Sequence, residues 1–415
     1  MNKRILVFGG GDTHLHLIQA CKALGYYTVV TDPVEKPLYA HLADKLVVLD
    51  PNDYEGHCRL VQEERIDGLA TCGMETPLPL MARLAEEFGL IHHSPEVVQQ
   101  VRNKYLMKQK FIEHGVPCAR GIKIQHYESL EGVDLSEWSF PLILKPVDSY
   151  SSRGVFKVEN EAELRAYYPQ TVAFASNGEV ILEEFMEGRQ ICAECITFQG
   201  ETTLVQTTGY VNTPYPYCVE IELYQPSGLS DDMLERVKDV VKRAHRAVGI
   251  ENGGSNIEIM ITEEGPKVIE IAGRLSSDHL SSYLPILSTG VDMSRALCRV
   301  VMGEAPDLRP AHARYSIICF YTWEVGARVV ETRPIEEFKA HPWVTHAALK
   351  FDPGDILPPV TESMHRHGFF ITSGDTREEL QERVKVLKKE FEPYIRVEPV
   401  TKAEEGQLEA PTSIE

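Results

Sequence analysis

The stretch from Ser255 to Arg274, SNIEIMITEEGPKVIEIAGR, leaves little freedom of fold. In its first half Ile257, Ile259 and Ile261 alternate with Glu258 and Met260; in its second half Ile269 and Ile271 alternate with Val268, Glu270 and Ala272. Period-two alternation rich in β-branched residues marks a strand. Glu263-Glu264-Gly265 suits a three-residue hairpin loop with glycine in the left-handed position. That loop pairs Met260 with Val268 and therefore Glu258 with Glu270, on one face and directly opposite each other. Like charges so placed destabilise a sheet by roughly 0.2–1 kcal/mol when exposed, and by more when buried. A divalent cation removes the conflict, because carboxylate oxygens are natural ligands of Mg²⁺. Arg274, shortly after Glu270, adds a charge suited to a phosphate or carboxylate. The plainer alternative is a surface hairpin with two solvated glutamates.

At 415 residues the chain has room for two to four domains. No apolar run approaches the length of a membrane span, and Met1-Asn2-Lys3-Arg4 leads straight into a strand, so neither a membrane segment nor a secretory signal is expected. Nine scattered cysteines, an odd number, point to a reducing cytoplasm rather than a disulfide framework. A net charge of −20 argues against nucleic acid or an anionic membrane as partner.

The chain opens with a doubly wound α/β rhythm. A buried strand from Lys3 to Phe8 is followed by Gly9-Gly10-Gly11, a helix from about Asp12 to Leu24, and a strand from Tyr27 to Thr31. A dinucleotide fingerprint needs a third glycine where His14 stands, so a tight strand-to-helix turn is the favoured reading of the glycines. Strands at 45–49 and 68–71 and a helix at 53–65 continue the pattern. A further helix over 76–88 reads as capped by Thr76, with Pro77 first and Gly89 past its end. Glu75 lies at the mouth of that strand-to-helix turn. It is either a ligand-side residue at a strand's carboxyl end or an acid favoured by the helix dipole.

Helices follow from Ser94 and up to His114. Phe140 to Pro146 is a strand ending at Lys145, and Asp148 to Gly154 is a polar loop able to wrap phosphates by backbone donation. Glu179 to Met186 and Gln190 to Phe198 read as strands. Cys192 and Cys195, three apart on a strand, point to opposite faces and are not expected to hold metal. Tyr210 to Cys218 is irregular, and it is either a substrate-facing loop or a rigid connection. Ser230 caps an amphipathic helix ended by Gly249. Pro285 to Val301 is expected as one helix, Ala305 to Arg309 as a linker, and 314–399 as a compact α/β unit with strands near 316–322, 345–350 and 368–373 and a helix over 376–390.

Taken in order, NKYLMK around Lys104, PLILKP around Lys145, the Ser/Gly loop, ILEEFMEGRQ and EIMITEEGPKVIEIAGR resemble the motifs of the ATP-grasp superfamily. Within it, the resemblance is to the carboxylate–amine ligases grouped with L-amino-acid ligases, biotin carboxylase and carbamoyl-phosphate synthetase. It runs from Lys3 to about Val400 and favours the metal reading of the hairpin. It implies a mixed α/β and α+β fold. A Rossmann-like domain would span 1–101, and an ATP-grasp domain of two α+β subdomains 102–305, with a small lid at 118–186. A C-terminal α/β domain would follow at 306–400, then a disordered tail at 401–415.

The implied reaction joins a carboxylate, expected to be an amino acid's, to an amine through an acyl phosphate, releasing ADP and phosphate. No protein nucleophile is needed, and no nucleophile motif is present. By position in the motifs, Lys104 and Lys145 would contact the phosphates and the adenine side, with Lys145 and Arg274 assisting transfer. Ser149, Ser151, Ser152 and Gly154 would close over the phosphates. Glu183, Glu184, Phe185 and Met186 would line the adenine, and Gln190 would reach the ribose. Glu258 and Glu270 would bind Mg²⁺, with Mn²⁺ as the alternative ion. Glu75, Tyr215, Ser276 and Asp278 are the candidate substrate contacts. Small-molecule substrates, a cytoplasmic location and a homodimer are expected.

Two departures stand out. Many relatives of this kind have Glu at Gln190, and many have Asn at Ala272, which would cost a second metal one ligand. The rival readings are a dehydrogenase, a non-catalytic nucleotide-binding protein of the same fold, and a ligase acting on bicarbonate or a purine-pathway carboxylate.

Overall fold

The computed structural model describes residues 2–124, 135–149, 153–214 and 217–400. The chain forms two compact units. The first joins Met1–Tyr210 to Tyr224–Ala313, and the second joins Val211–Leu223 to the chain from Arg314 onward.

The first unit begins with a parallel sheet. Its strands are β1 (Arg4–Phe8), β2 (Tyr27–Asp32), β3 (Lys45–Val48) and β4 (Gly68–Ala70), in the order β3-β2-β1-β4. Alternate residues of β1 enter different cores. Ile5 and Val7 pack toward helices Leu15–Ala23 and Met293–Val301, whereas Leu6 and Phe8 pack toward helices Tyr54–Glu64 and Leu78–Phe88. Burial on both faces explains why β1 reads as a continuous apolar run. The turn after β1 needs glycine at its first position. Gly9 has φ +105°, and a Cβ there would lie 2.4 Å from the His14 ring. Helix Leu78–Phe88 begins later than expected. Pro77 occupies its cap position, and no side chain, Thr76 included, caps it.

A second, antiparallel sheet comprises β5 (Gly121–Ile124), β6 (Leu142–Pro146), β7 (Phe156–Val158) and β8 (Val180–Glu184), ordered β5-β8-β6-β7. Helix Glu161–Val172, capped by Asn160, shares its apolar core of Leu142, Leu144, Leu164, Tyr168, Val180 and Leu182. The sequence reading did not assign that helix.

The third run of strands carries the site. β9 (Arg189–Phe198), β10 (Glu201–Asn212), β12 (Gly253–Thr262) and β13 (Gly265–Ala272) lie in the order β13-β12-β9-β10, and β11 is Glu220–Gln225. Ile191, Ala193 and Cys195 of β9, Ile257 and Ile259 of β12, and Val268 and Ile271 of β13 form one core. It includes Met107 and Phe111 of helix Lys104–Glu113 and Val237, Val241 and Ala244 of helix Asp231–Val248. Truncating such a side chain typically costs about 2–5 kcal/mol. Since strand side chains alternate, filling this face leaves Gln190, Cys192, Glu194, Asn256, Glu258 and Glu270 on the other. Cys192 and Cys195 thus lie on opposite faces, as expected.

The hairpin differs from its expected register over part of its length. Thr262 pairs with Gly265, so the loop has two residues, Glu263 and Glu264. Ile259 faces Val268 and Met260 faces Lys267, rather than Met260 facing Val268. A bulge at Ile269 then restores the expected Glu258–Glu270 pair. Farther on, the single helix expected over 285–301 is two, Tyr283–Thr289 and Met293–Val301. They are split at Gly290 (φ +81°), where a Cβ would lie 2.8 Å from Ala311.

In the second unit, β11 runs with β14 (Tyr315–Tyr321), β17 (Gly368–Gly374) and β16 (Val344–Leu349), while β15 (Ala327–Thr332) pairs with β18 (Ile395–Pro399). Helix Arg377–Phe391, capped by Thr376, places Phe391 against Trp323, Phe338 and Phe370. Strands β10, β11, β15 and β18 were not read from the sequence, and Tyr210 to Asn212, read as irregular, belong to β10. Among the described residues no helix is long and apolar enough to cross a membrane.

Candidate active site

Glu258 and Glu270 sit opposite each other on β12 and β13, and Cys192 of β9 stands across from Glu258 on its other side. Gln190 donates its amide to Glu258 at 3.0 Å. Lys104 Nζ lies 3.3 Å from Glu270 and donates to the Ser149 carbonyl at 2.6 Å. The chain fixes this lysine locally. Asn103 caps helix Lys104–Glu113 through the amides of Tyr105 and Leu106, and the Lys104 amide binds the Val147 carbonyl. Burial alone would lower the Lys104 pKa, but Glu270, Glu75 and Glu258 outweigh it and raise it. Burial alone would raise that of Glu270, but Lys104, Lys145 and Arg274 hold it below the usual carboxylate range. Both groups are therefore charged at neutral pH. The paired carboxylates supply the hard oxygen donors that Mg²⁺ takes, while Ala272 contributes none.

A second ion cluster lies on the β5–β8 side. Glu183, Lys145 and Lys108 are 3 %, 4 % and 2 % exposed. Glu183 sits between the two lysines, 2.9 Å from Lys145 and 3.2 Å from Lys108, and Lys108 also donates to the Ala119 carbonyl at 2.9 Å. Burial would raise the Glu183 pKa, but the two lysines lower it. Lys108 was not singled out from the sequence. Its signal was its spacing, one helical turn beyond Lys104 and so on the same helix face.

The third group is built where the segment after β13 meets the end of β4. Leu275 bridges to Cys72, and the Gly73 amide binds the Leu275 carbonyl at 3.0 Å. This zipper brings Arg274 to Glu75, with Nη2 3.0 Å from Oε1. Glu75 precedes the helix that starts at Leu78 and pairs with Arg274. Arg274 Nε is buried without a hydrogen-bond partner among the described residues, which suits an anionic ligand. Asp278 and His279 both adopt left-handed backbone, at φ +52° and +60°, and His279 Nε2 lies 3.2 Å from Asp12. Two such residues in succession are uncommon outside glycine and concentrate at functional sites. Ser276 accepts from Asn256 and faces Glu194, a buried carboxyl that the sequence reading passed over. The polar alternation Gln190, Cys192, Glu194 was its signal.

Of the remaining predicted residues, Gly154 (φ +73°) packs against Phe174 and Pro146, and the Phe185 ring lies under Lys157 at 4.5 Å. The Glu184 carboxylate turns outward to Arg120 at 3.0 Å, and Met186 is half-buried in the turn after β8. Ser151, Ser152 and Tyr215 lie outside the described residues. A cavity of about 640 Å³ opens elsewhere, between helix Asp231–Val248 and the hairpin tip. Its Arg243 and Lys267 are paired with Asp239 and Glu264.

Residues 138–282 match a family model described as an ATP-grasp domain, and residues 320–396 match one described as L-amino acid ligase C-terminal domain 2. The chain carries an ATP-grasp domain. Over 424 residues it is 24 % identical to dapdiamide A synthase of Enterobacter agglomerans, covering 93 % of this chain and 96 % of that one. It is 27 % identical over 311 residues to an uncharacterised protein of Sinorhizobium fredii, covering 74 % of this chain and 64 % of that relative's length. The chain also shares its fold with the crystal structure of L-amino acid ligase from Bacillus licheniformis. There the TM-score is 0.79 at 20 % identity, with 96 % and 99 % of the two chains covered.

Proposed function

We propose that this chain is an ADP-forming ATP-grasp carboxylate–amine ligase that activates an amino acid as its acyl phosphate and passes it to an amine. The observation that carries this reading is the row of paired charges within one unit: Lys145 and Lys108 on Glu183, Lys104 on Glu270, and Arg274 on Glu75. A carboxylate attacking the γ-phosphate of ATP brings two anions together, and such a row supplies positioned cations for both. The pairing of an ATP-grasp domain with an L-amino acid ligase C-terminal domain favours an amino acid as the carboxylate.

In this reading Lys104 and Lys145 bind the phosphates, and residues 149–154 cover them. Glu183 to Met186 border the adenine, Gln190 reaches the ribose, and Arg274 neutralises charge on the transferring phosphoryl group. Glu258 and Glu270 would hold Mg²⁺, which lends positive charge to the phosphate oxygens. Glu75 orients Arg274, while Ser276 and Asp278 border the substrate. Excluding water from the closed site protects the acyl phosphate until the amine arrives. The protein would act in the cytoplasm on small molecules, as a homodimer. Measuring ATP-dependent phosphate release across a panel of carboxylates and amines tests this. Stimulation by an amino acid together with an amine acceptor is expected, and stimulation only by bicarbonate or a nucleotide-derived carboxylate would refute the amino-acid assignment.

A further inference from the structure

Glu194 is fully buried on β9, on the sheet face that carries Glu258 and Glu270. Its partner on β12 is Asn256, so it lies in the next row of the sheet after the Glu258 pair. Both its oxygens lie 2.8 Å from Ser276 Oγ, and the Cys192 thiol points to Oε1 at 3.5 Å. Ser276 Oγ accepts the Asn256 amide at 2.8 Å, which directs its own hydrogen to Glu194. Among the described residues no cation lies within ion-pair distance of Glu194. Buried carboxyls without an ion-pair partner are uncommon, and a glutamine would fill the same space without the cost of desolvating a charge.

The titratable groups acting on it are Cys192 on the same strand and Arg274 after β13; Tyr210 on β10 and Glu258 on β12 act on Cys192 instead, and Glu270 lies one strand farther, opposite Glu258. Gln206 is its partner on β10. Burial raises the Glu194 pKa, while Ser276, Cys192 and Arg274 pull it back, leaving it at about 7. Burial also raises the Cys192 thiol well above its ordinary value, so that neighbour stays neutral.

We propose that Glu194, reached through the hydroxyl of Ser276, takes the proton that the amine gives up when it attacks the activated carboxylate. The proposal rests on the ligase reading above. As the C–N bond forms, the bond from the carbonyl carbon to the phosphate oxygen breaks, and phosphate leaves with the electron pair. The amine proton passes to Ser276 Oγ while the serine's own hydrogen passes to Glu194. The carboxyl then releases its proton to solvent before the next turnover. Above neutrality Glu194 is ready to accept; below it the relay is blocked.

The test compares two nucleophiles. Wild type, Glu194→Gln and Ser276→Ala are each supplied with ATP, Mg²⁺ and an equimolar mixture of the common L-amino acids, with and without excess hydroxylamine. Amide and hydroxamate products are quantified by mass spectrometry. Hydroxylamine is a strong nucleophile that is largely unprotonated near neutrality, so it depends less on a base. Both variants should lower amide formation about 100-fold more than hydroxamate formation, since positioned general bases contribute on the order of 10²–10⁴. The acidic limb of the amide rate near pH 7 should disappear in Glu194→Gln. Infrared titration of the free protein should show a carboxyl band titrating near neutrality that Glu194→Gln lacks. Equal loss of both products, or an unchanged product ratio and pH limb, overturns the relay while leaving the ligase reading intact. Absence of hydroxamate and amide from the wild type overturns the amino-acid ligase reading, and the relay with it.

Discussion

Lys108→Met tests the buried Lys108–Glu183–Lys145 cluster. Methionine nearly preserves the volume of the stem but removes the ammonium group, which makes one hydrogen bond to Ala119 at 2.9 Å and one ion pair to Glu183 at 3.2 Å. Losing the donor leaves the Ala119 carbonyl unsatisfied in a residue only 3 % exposed, at a cost of about 1–3 kcal/mol. Breaking a buried pair outright typically costs about 3–5 kcal/mol, but Glu183 keeps Lys145 at 2.9 Å, and methionine avoids desolvating a lysine. A net loss of about 2 kcal/mol follows.

The functional effect comes from charge. Two lysines on one glutamate leave one positive charge over, and removing Lys108 lets Glu183 neutralise Lys145. The KM for ATP should rise about tenfold, with kcat changed less than about threefold. The sign of the pH effect is fixed. The folded-state pKa of Glu183 is depressed, so its stabilisation is present above its unfolded value and is lost as pH falls through the folded one. Lys108→Met weakens that depression, so acid unfolding should begin at higher pH than in wild type. Urea midpoints at pH 7 and 5, with ADP release against ATP concentration, measure all three effects. A variant as stable as wild type at both pH values, with an unchanged KM for ATP, would refute the reasoning.

Glu258→Gln and Glu270→Gln should each fold yet lose most activity, because each removes a full charge from the Mg²⁺ donors and metal charge stabilisation is worth several kcal/mol. Turnover within about threefold of wild type would contradict the metal assignment. Chelation by EDTA should abolish ADP formation, and Mg²⁺ or Mn²⁺ should restore it; full activity in EDTA would argue against a divalent ion. The turn after β1 should not bind NAD(H) or NADP(H) tightly, since His14 occupies the third-glycine position and fills the space over Gly9. Micromolar affinity by calorimetry, lost on changing Gly9 or Gly11, would reverse that reading.

Much of the hairpin was legible because alternation decides which face a side chain takes, and Glu258 opposite Glu270 follows from it. The bulge at Ile269 was not, because an extra residue in one strand leaves no mark in the apolar pattern. It happens to cancel the one-residue difference in the loop, so the expected carboxylate pair survived a register that was wrong between them. Thr76 illustrates a local signal that failed: Pro77 and Pro79 both suit a helix start, and the helix begins between them. The ion pairs lay beyond sequence reasoning for another reason. Arg274 meets Glu75 across 199 residues, through a zipper of Cys72, Gly73 and Leu275 that only the packed fold creates. Glu194 was visible in principle, but the reading of that strand weighed only the two cysteines, which it did not expect to hold metal, and passed over the carboxyl between them.

The acyl phosphate is the centre of this account, and one isotope experiment bears on it directly. An amino-acid substrate labelled with heavy oxygen in its carboxylate is turned over with ATP, Mg²⁺ and an amine, and the released phosphate is examined by mass spectrometry. Attack of the carboxylate on the γ-phosphate predicts ADP as the nucleotide product and one labelled oxygen in the phosphate for each amide formed. Accumulation of AMP and pyrophosphate, or unlabelled phosphate during productive amide formation, would contradict it.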